Sequence, residues 1–146
     1  MKPLRLELSR TKGFDLHAKS RALNGLDVVN VARGPGRKWG NPFKIGDPII
    51  DAKNGAGRMT REQCVMLYGQ MAGRISTPAE EAYLAELFGG KQPPDRATAV
   101  QELRGKNLAC WCHLCERHAE TGKPLDEDCA DCEPCHVDPL GRIANP

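Results

Sequence analysis

The sequence lacks any stretch that approaches the roughly 20 consecutive apolar residues of a membrane-spanning helix. Its N-terminal segment alternates polar and apolar residues and has no apolar core of a signal peptide. A strong excess of either charge is also missing, because the formal net charge is only +2. These absences predict a cytoplasmic protein with no membrane partner. They also mean that net charge gives little support to nucleic-acid binding.

Internal repeats and low-complexity tracts are missing as well, and 146 residues fit one domain of ordinary size. Three segments have the pattern of strands. Leu4–Leu8 alternates apolar and charged residues, while Leu26–Ala32 and Lys106–Trp111 are apolar runs typical of buried strands. Helical signals lie between the strands, so we predict an α/β fold in which residues 1–146 form a small single-domain sheet with flanking helices.

Capping signals locate the helices. Thr60 is followed by Gln63 at the spacing of a capping box, and Thr77 is followed by a proline and two acids that favour a first helical turn. Asp95 is a third candidate N-cap. The predicted helices run from Thr60 to about Arg74, from Thr77 to Gly89-Gly90, from Asp95 to Leu103 and from Asp138 to Ala144.

Cysteine is the residue type that the C-terminal third has in abundance. Six of the seven cysteines lie between Cys110 and Cys135. In a reducing compartment such a set indicates metal ligands or catalytic thiols before it indicates disulfides. A secreted disulfide framework is the alternative, and the length of the chain and the crowding of the cysteines count against it.

Two CxxC pairs stand out within this segment. Cys112 and Cys115 form the first pair, Cys129 and Cys132 form the second, and 13 residues separate them. Each tight turn can direct two thiolates at one ion, so two turns can complete the tetrahedron of a structural zinc site. The ligand set stays open, because Cys135 completes a third CxxC and His118 lies three residues beyond Cys115. An iron–sulfur cluster is a further alternative, since it also uses four thiolates.

A basic, glycine- and proline-rich loop follows the second predicted strand. Arg33 and the Gly34–Pro42 segment cannot form regular structure, and their backbone N–H groups and basic side chains suit an anion. The sequence lacks the Gly-Lys-Ser/Thr ending of a Walker loop, and it has no dinucleotide fingerprint. The candidate ligand-binding residues are Arg33, Arg37, Lys38, Trp39 and Asn41, with Trp39 predicted to stack on a base and Asn41 to contact a base edge. The alternative is a rigid turn that packs over Trp39.

A candidate catalytic group lies at the two ends of the cysteine-rich segment. Cys110 ends a predicted strand, and ligands of open α/β sheets bind outside such ends. His136 follows Cys135 and could act as the base of a thiolate nucleophile, with Asp138 orienting its ring. Two alternatives stay open, namely further metal ligation by His136 and simple core packing of Cys110. If the strands are parallel, this group and the basic loop share one pocket.

Two motifs resemble those of a known family. Arg37–Phe43 with Ile45-Gly46, and Leu103–Cys112 with Cys135–Asp138, are similar to the domain-of-unknown-function family numbered four-three-two-six, which occurs in phage and bacterial proteins. The Leu8–Phe14 segment is also similar to some members. The resemblance implies no established activity.

Many members of that family have a shorter gap between the two halves of the cysteine motif. The longer gap here brings in Cys115, Cys129 and Cys132, and we predict that it leaves the sheet over His113–Pro134 and then returns. By the resemblance, these three cysteines and Cys112 form one zinc site in an insert spanning residues 112–135. Cys110, Cys135 and His136 are then left to the shared function of the family.

The leading functional hypothesis is a zinc-binding enzyme that acts on a nucleotide, nucleoside or modified base. The alternative is a non-catalytic module that binds nucleic acid or protein through the basic loop. A reactive thiol or a positioned imidazole in a cleft would distinguish the enzyme from the module. The sequence indicates neither a reaction type nor an oligomeric state.

Overall fold

A computed structural model describes residues 1–35, 37–51, 55–74, 77–89 and 93–146, so two residues named above, Gly36 and Gly90, lie outside the described part. The strands are β1 (Leu4–Glu7), β2 (Val28–Asn30), β3 (Pro48–Asp51), β4 (Gly55–Arg58), β5 (Asn107–Cys110) and β6 (Lys123–Pro124). The helices are α1 (Leu16–Asn24), α2 (Arg61–Ala72), α3 (Pro78–Leu87), α4 (Arg96–Leu103), α5 (Glu116–Ala119) and α6 (Val137–Ala144).

The three strands predicted from the sequence form the parallel part of one sheet. Its strand order is β2-β5-β1-β6, with β5 parallel to both β2 and β1. Every residue of β5 is buried, because the strand has a neighbour on each side. The carboxyl ends of β2, β5 and β1 therefore lie at one edge of the sheet. The predicted α/β class, a small single-domain sheet with flanking helices, is confirmed.

The cysteine-rich insert does not leave the sheet entirely, as the sequence led us to expect. Its Lys123 and Pro124 form β6, which pairs antiparallel with Leu4 and Arg5 of β1. A strand of two residues has no detectable hydrophobic period, which is why the sequence pattern missed it. The consequence is that the insert is fastened to the sheet in its middle as well as at its two ends.

The predicted N-caps of three helices are all present. Thr60 accepts a hydrogen bond from the Gln63 backbone N–H, and the Gln63 side chain returns the bond, so the capping box before α2 is complete. Thr77 makes the same arrangement before α3, and the Asp95 side chain caps α4. These signals are local, and the structure keeps them where the sequence has them.

Helix α1 and the β3–β4 hairpin were not predicted. Helix α1 is capped by Asp15 and ends at Gly25, whose positive φ of 77° suits glycine. Only Ser20 of this helix is buried, so the helix offers almost no apolar pattern to detect. Helix α1 lies before β2, whereas β3 and β4 lie between the basic loop and α2 and lengthen the path from β2 to α2.

The core lies between the sheet and α6, which also contacts α2 and α4. Val137, Leu140 and Ile143 of α6 are buried against this core. Because α6 packs on β5 and β1, its N-terminus is held near the carboxyl ends of these strands. Among the described residues, no helix is long and apolar enough to cross a membrane.

Candidate functional site

Four side chains of the cysteine-rich segment converge on one point, and we call them the insert cluster. Its members are Cys115, His118, Cys129 and Cys132, whose ligand atoms all lie within 4.8 Å of one another. Cys115 is the N-cap of α5 and His118 lies on the same short helix, so one turn places both side chains on one side. The Cys129–Cys132 turn faces them. These four groups could hold a metal ion.

The surroundings of the insert cluster act on its thiols in opposite directions, because burial raises the pKa of Cys132 to about 11 whereas Cys129 is shifted the other way. The Cys115 backbone N–H donates to Cys132 Sγ at 3.3 Å, and Arg117 Nη2 donates to Cys129 Sγ at 3.4 Å. Although desolvation acts to raise the pKa of Cys129, hydrogen bonds from the backbone of Asp131 and Cys132 help to lower it to about 6. A thiolate is the form that binds a metal, and Cys129 is the member whose environment favours that form.

The insert cluster differs from the predicted ligand set at one position, because His118 stands where Cys112 was expected. The Cys112 thiol lies instead 4.0 Å from Cys110 Sγ, beyond the end of β5. The chain bends at Trp111 and Cys112 directly after β5, and the Cys112 thiol stays beside Cys110 rather than with the insert cluster. The segment thus has a group of side chains that could hold a metal ion, as predicted, but its fourth member is His118.

A second group, which we call the buried cluster, consists of Cys110, Cys135 and His136, whose ligand atoms also lie within 4.8 Å of one another. Cys110 is the last residue of β5, and Cys135 and His136 immediately precede α6. All three are buried. We expected the cysteine-rich insert to return to the end of the strand from which it leaves. It does so, because Cys110 before the insert and Cys135 at its end meet in this cluster.

The thiols in and beside the buried cluster shift one another's pKa values in opposite directions. Hydrogen bonds from the Cys112 and Cys135 thiols lower the pKa of Cys110, and the same contacts raise the pKa values of Cys112 and Cys135. Burial lowers the pKa of His136, so its ring is neutral. His136 Nε2 lies 2.8 Å from the Val31 carbonyl oxygen, which can only accept, so Nε2 carries the proton. The lone pair is then on Nδ1, 3.7 Å from Cys135 Sγ.

Asp138 does not orient His136, contrary to expectation. Its carboxylate pairs with Arg5 Nη1 at 3.0 Å and with Lys123 Nζ at 3.2 Å. Both cations are buried, on β1 and β6, and each needs an anionic partner there. Asp138 therefore ties α6 to the sheet and to the insert, while the Val31 carbonyl orients the imidazole.

A cavity of about 190 Å³ opens beside the buried cluster at the carboxyl edge of the sheet. The basic loop contributes Arg33, Asn41 and Phe43 to its wall, and Arg61 comes from the start of α2. The cavity thus brings part of the loop together with Cys110 and His136, as expected from parallel strands. Gly40 permits this path, because a Cβ at that position would stand 2.7 Å from the Arg33 Cα.

The other predicted loop residues do not line this cavity. Trp39 is buried in the core, and the Tyr68 hydroxyl donates to its carbonyl, so the ring cannot stack on a base. Lys38 pairs with Glu102 at 2.5 Å, and the Arg37 backbone N–H closes a turn on Gly34. Trp39 therefore matches the rigid-turn alternative.

Asn41 lines the cavity but its side chain is committed to the fold. The amide donates to the Cys64 carbonyl at 3.1 Å, and its oxygen accepts from the Phe43 backbone N–H at 2.9 Å. Only 6% of the residue is exposed. Asn41 therefore holds the loop in shape and cannot contact a base edge as we expected.

Among the cavity residues that the sequence analysis did not single out, three bear on what the cavity can bind. Trp111 is 41% exposed, with the Arg10 guanidinium 4.7 Å from its ring, and Phe43 lies on the loop side. Arg61 points Nη1 at Cys112 Sγ at 3.8 Å and pairs with Glu133. The position of Trp111 directly after Cys110 at a strand end was the available signal, whereas nothing in the sequence marked Arg61.

Fold and site together define a small α/β domain with two cysteine–histidine groups positioned to hold metal ions, one of them beside a cavity. The chain belongs to the family described as domain of unknown function DUF4326, whose model matches residues 15–146. The resemblance drawn from the motifs is confirmed, although Leu8–Phe14 precedes the matched residues. No curated protein and no solved structure matches the chain.

Proposed function

We propose that this protein is a zinc-binding enzyme that acts on a nucleotide, nucleoside or modified base in the cavity beside the buried cluster. The observation that carries the proposal is the composition of one cavity wall. An exposed aromatic ring, an arginine and a thiol–imidazole group all face the same space. In this proposal Cys110 and His136 stand at the reacting centre, and a zinc ion in the insert cluster is structural.

The size of the cavity limits what can enter. About 190 Å³ is smaller than the roughly 300–1,000 Å³ of pockets that enclose whole small molecules, so it suits one ring with the remainder outside. Arg10 lies over one face of Trp111, so the base would take the other face. Stacking of a base on an aromatic side chain contributes about 1–3 kcal/mol. A nucleobase, with its sugar outside the cavity, meets these requirements.

Arg33 is the group that suits a phosphate. Its guanidinium donates from Nε to the Asn41 carbonyl at 2.8 Å and from Nη2 to the Phe43 carbonyl at 3.4 Å. Within the part of the chain that the structure describes, it forms no salt bridge, so its charge is not neutralised. Arg61, in contrast, is paired with Glu133. Arg33 is therefore the better candidate for an anion at the rim of the cavity.

Structural zinc is supported by the donor set of the insert cluster. Three thiols and one imidazole are a donor set typical of structural zinc sites. In a zinc tetrahedron the sulfurs stand about 3.8 Å apart and a sulfur and a nitrogen about 3.6 Å apart. The Cys115 and Cys129 sulfurs are 3.8 Å apart, and His118 Nδ1 lies 3.3 Å and 3.4 Å from the Cys115 and Cys132 sulfurs.

Calorimetric binding of a panel of nucleotides and nucleosides tests the proposal. We expect Trp111→Ala to weaken binding of every base-containing ligand about 10-fold or more, through the lost stacking. Arg33→Ala should weaken nucleotides but not nucleosides. Lys38→Ala is the matched control, because it removes a cation from the same loop outside the cavity. Binding that Trp111→Ala leaves unchanged would overturn the proposed site.

Turnover of the bound ligand, followed by mass spectrometry, separates an enzyme from a binding module. Cys110→Ala should abolish turnover while ligand binding persists, since the thiol lies at the cavity wall and the Trp111 face remains. Binding without turnover, unchanged by Cys110→Ala, would favour a non-catalytic module.

A further inference from the structure

The geometry points to a second metal ion, bound by Cys110, Cys135 and His136, with its remaining coordination position open to the cavity. This inference deepens the proposed function, on which its catalytic meaning rests, but the metal site itself is argued from the buried cluster alone. It would make the protein a two-metal chain with one closed structural site and one open site. The open position would take a water molecule or a donor atom of the ligand.

The spacing of the buried cluster suits a tetrahedral ion. Its three ligand atoms all lie within 4.8 Å of one another, and Cys135 Sγ is 3.7 Å from His136 Nδ1. The corresponding sulfur–nitrogen separation around zinc is about 3.6 Å. A disulfide would require sulfurs about 2.05 Å apart, and all seven cysteines are free. The buried cluster thus has the dimensions of a metal site, and neither of its sulfurs is tied up in a disulfide.

His136 is held as a metal-ligating histidine is held. Nε2 donates to the Val31 carbonyl at 2.8 Å, and this bond fixes the tautomer with the lone pair on Nδ1. A histidine ligand ordinarily donates its other ring N–H to a carbonyl or carboxylate, which orients the ring. Val31 directly follows β2, so the sheet itself aims the Nδ1 lone pair at the sulfurs of the buried cluster. The ring edge also packs on Tyr68, with centroids 4.9 Å apart.

Cys112 lies beside the site without belonging to it. Its Sγ is 4.0 Å from Cys110 Sγ and also contacts the Cys135 thiol. It is outside the set that includes His136 and whose ligand atoms lie mutually within 4.8 Å, so we assign the fourth position to the cavity. The thiol is half-buried and receives Arg61 Nη1 at 3.8 Å. Cys110, Cys135 and His136 all line the cavity, so the ion would meet it directly. Three protein ligands with an open position are the pattern of catalytic zinc.

Metal content measured by elemental analysis is the first test, and it requires no nucleotide. Wild-type protein should carry two equivalents of zinc. Cys110→Ser and Cys115→Ser should each carry one, from different sites, and the double variant should carry close to none. Circular dichroism verifies that each variant is folded. A folded wild-type protein with one equivalent, all of it lost in Cys115→Ser, would overturn the second site. The colour of an iron–sulfur cluster would overturn it as well.

Cobalt substitution tests the open position. In Cys115→Ser loaded with Co²⁺, the remaining site should show thiolate–cobalt absorption whose d–d bands shift when azide is added. Cys112→Ala should keep both metal equivalents and the azide response. Loss of one equivalent in Cys112→Ala, or bands that azide does not move, would overturn the open site in favour of a closed one. Failure of nucleotide binding in protein with two metals would refute the proposed function and leave this site standing.

Discussion

The insert cluster and the buried cluster use the same two residue types but are built in different ways. The insert cluster takes its four members from residues 115–132, within one short helix and one turn. The buried cluster joins the end of β5 to the start of α6, and the sheet orients its histidine through Val31. The first is a local construction, whereas the second exists only once the domain has folded.

This difference assigns different consequences to the loss of each cluster. A metal in the insert cluster closes a segment that has little core of its own, since α5 has no buried residue. In the buried cluster, Cys110 and Cys135 belong to the hydrophobic core of the domain. We therefore expect the insert cluster to dominate stability and the buried cluster to dominate chemistry. Four variants can break or sharpen this comparison.

The largest effect is expected from removing the metal of the insert cluster. Cys115→Ser should lower the free energy of unfolding by about 4 kcal/mol or more, because structural zinc contributes about 10–16 kcal/mol of binding free energy in zinc-finger peptides. Denaturant unfolding measures it, and strong chelation of the wild type should reproduce it. Cys64→Ala is the control, since Cys64 is buried outside both clusters and should keep all metal. Equal stability with and without metal would contradict a structural role.

His118→Ala sharpens the comparison at the residue that distinguishes the two possible ligand sets. It should lose the metal of the insert cluster and lower the free energy of unfolding by about 3 kcal/mol, because one of four ligands is gone while three thiolates remain. Cys112→Ala should leave that metal in place. Elemental analysis and unfolding of both variants decide the matter, and the opposite pattern would restore Cys112 to the ligand set.

Asp138→Asn tests whether this carboxylate serves the buried cluster or the framework. Removing its charge leaves Arg5 and Lys123 buried without a full counter-charge, and loss of one partner of a buried pair costs about 3–5 kcal/mol. Asp138 is itself 27% exposed, so we expect about 2 kcal/mol, with the metal content unchanged. Asp128→Asn, which breaks the exposed pair with Arg142, is the control. A lost metal without lost stability would assign Asp138 to the buried cluster.

The smallest effect is expected at Lys38. Its pair with Glu102 is 43% and 39% exposed on the two side chains, and exposed ion pairs contribute about 0–1 kcal/mol. Lys38→Ala should therefore change the free energy of unfolding by less than about 1 kcal/mol and leave both metals in place. A double-mutant cycle with Glu102→Ala isolates the pair. A coupling energy well above that range would show that the loop depends on this contact.

What the sequence predicted correctly was either local or followed from strand polarity. The caps at Thr60, Thr77 and Asp95 are patterns of four residues, and such patterns survive in almost any tertiary context. Parallel strands then brought Arg33 to the same cavity as Cys110. The helix caps and the shared position of Arg33 and Cys110 could both be predicted from local sequence and strand direction, without knowing how side chains pack.

What the sequence did not predict depends on which way a side chain points. CxxC spacing cannot distinguish Cys112 from His118 as the fourth member of the insert cluster, because both lie three residues from Cys115. The two tryptophans exchanged their expected places, with Trp39 buried and Trp111 exposed. Asp138 pairs with the buried cations Arg5 of β1 and Lys123 of β6, and no local sequence pattern links either residue to it.

Strand β6 has a consequence for the behaviour of the protein at high concentration. Without it, β1 would be the outer strand of the sheet and would present unpaired backbone groups to other chains. The two residues of β6 cover that edge, and Pro124 has no N–H with which to extend the ladder further. The insert therefore also protects the sheet against aggregation through strand pairing. If β6 detaches from β1, we expect the protein to precipitate before it unfolds.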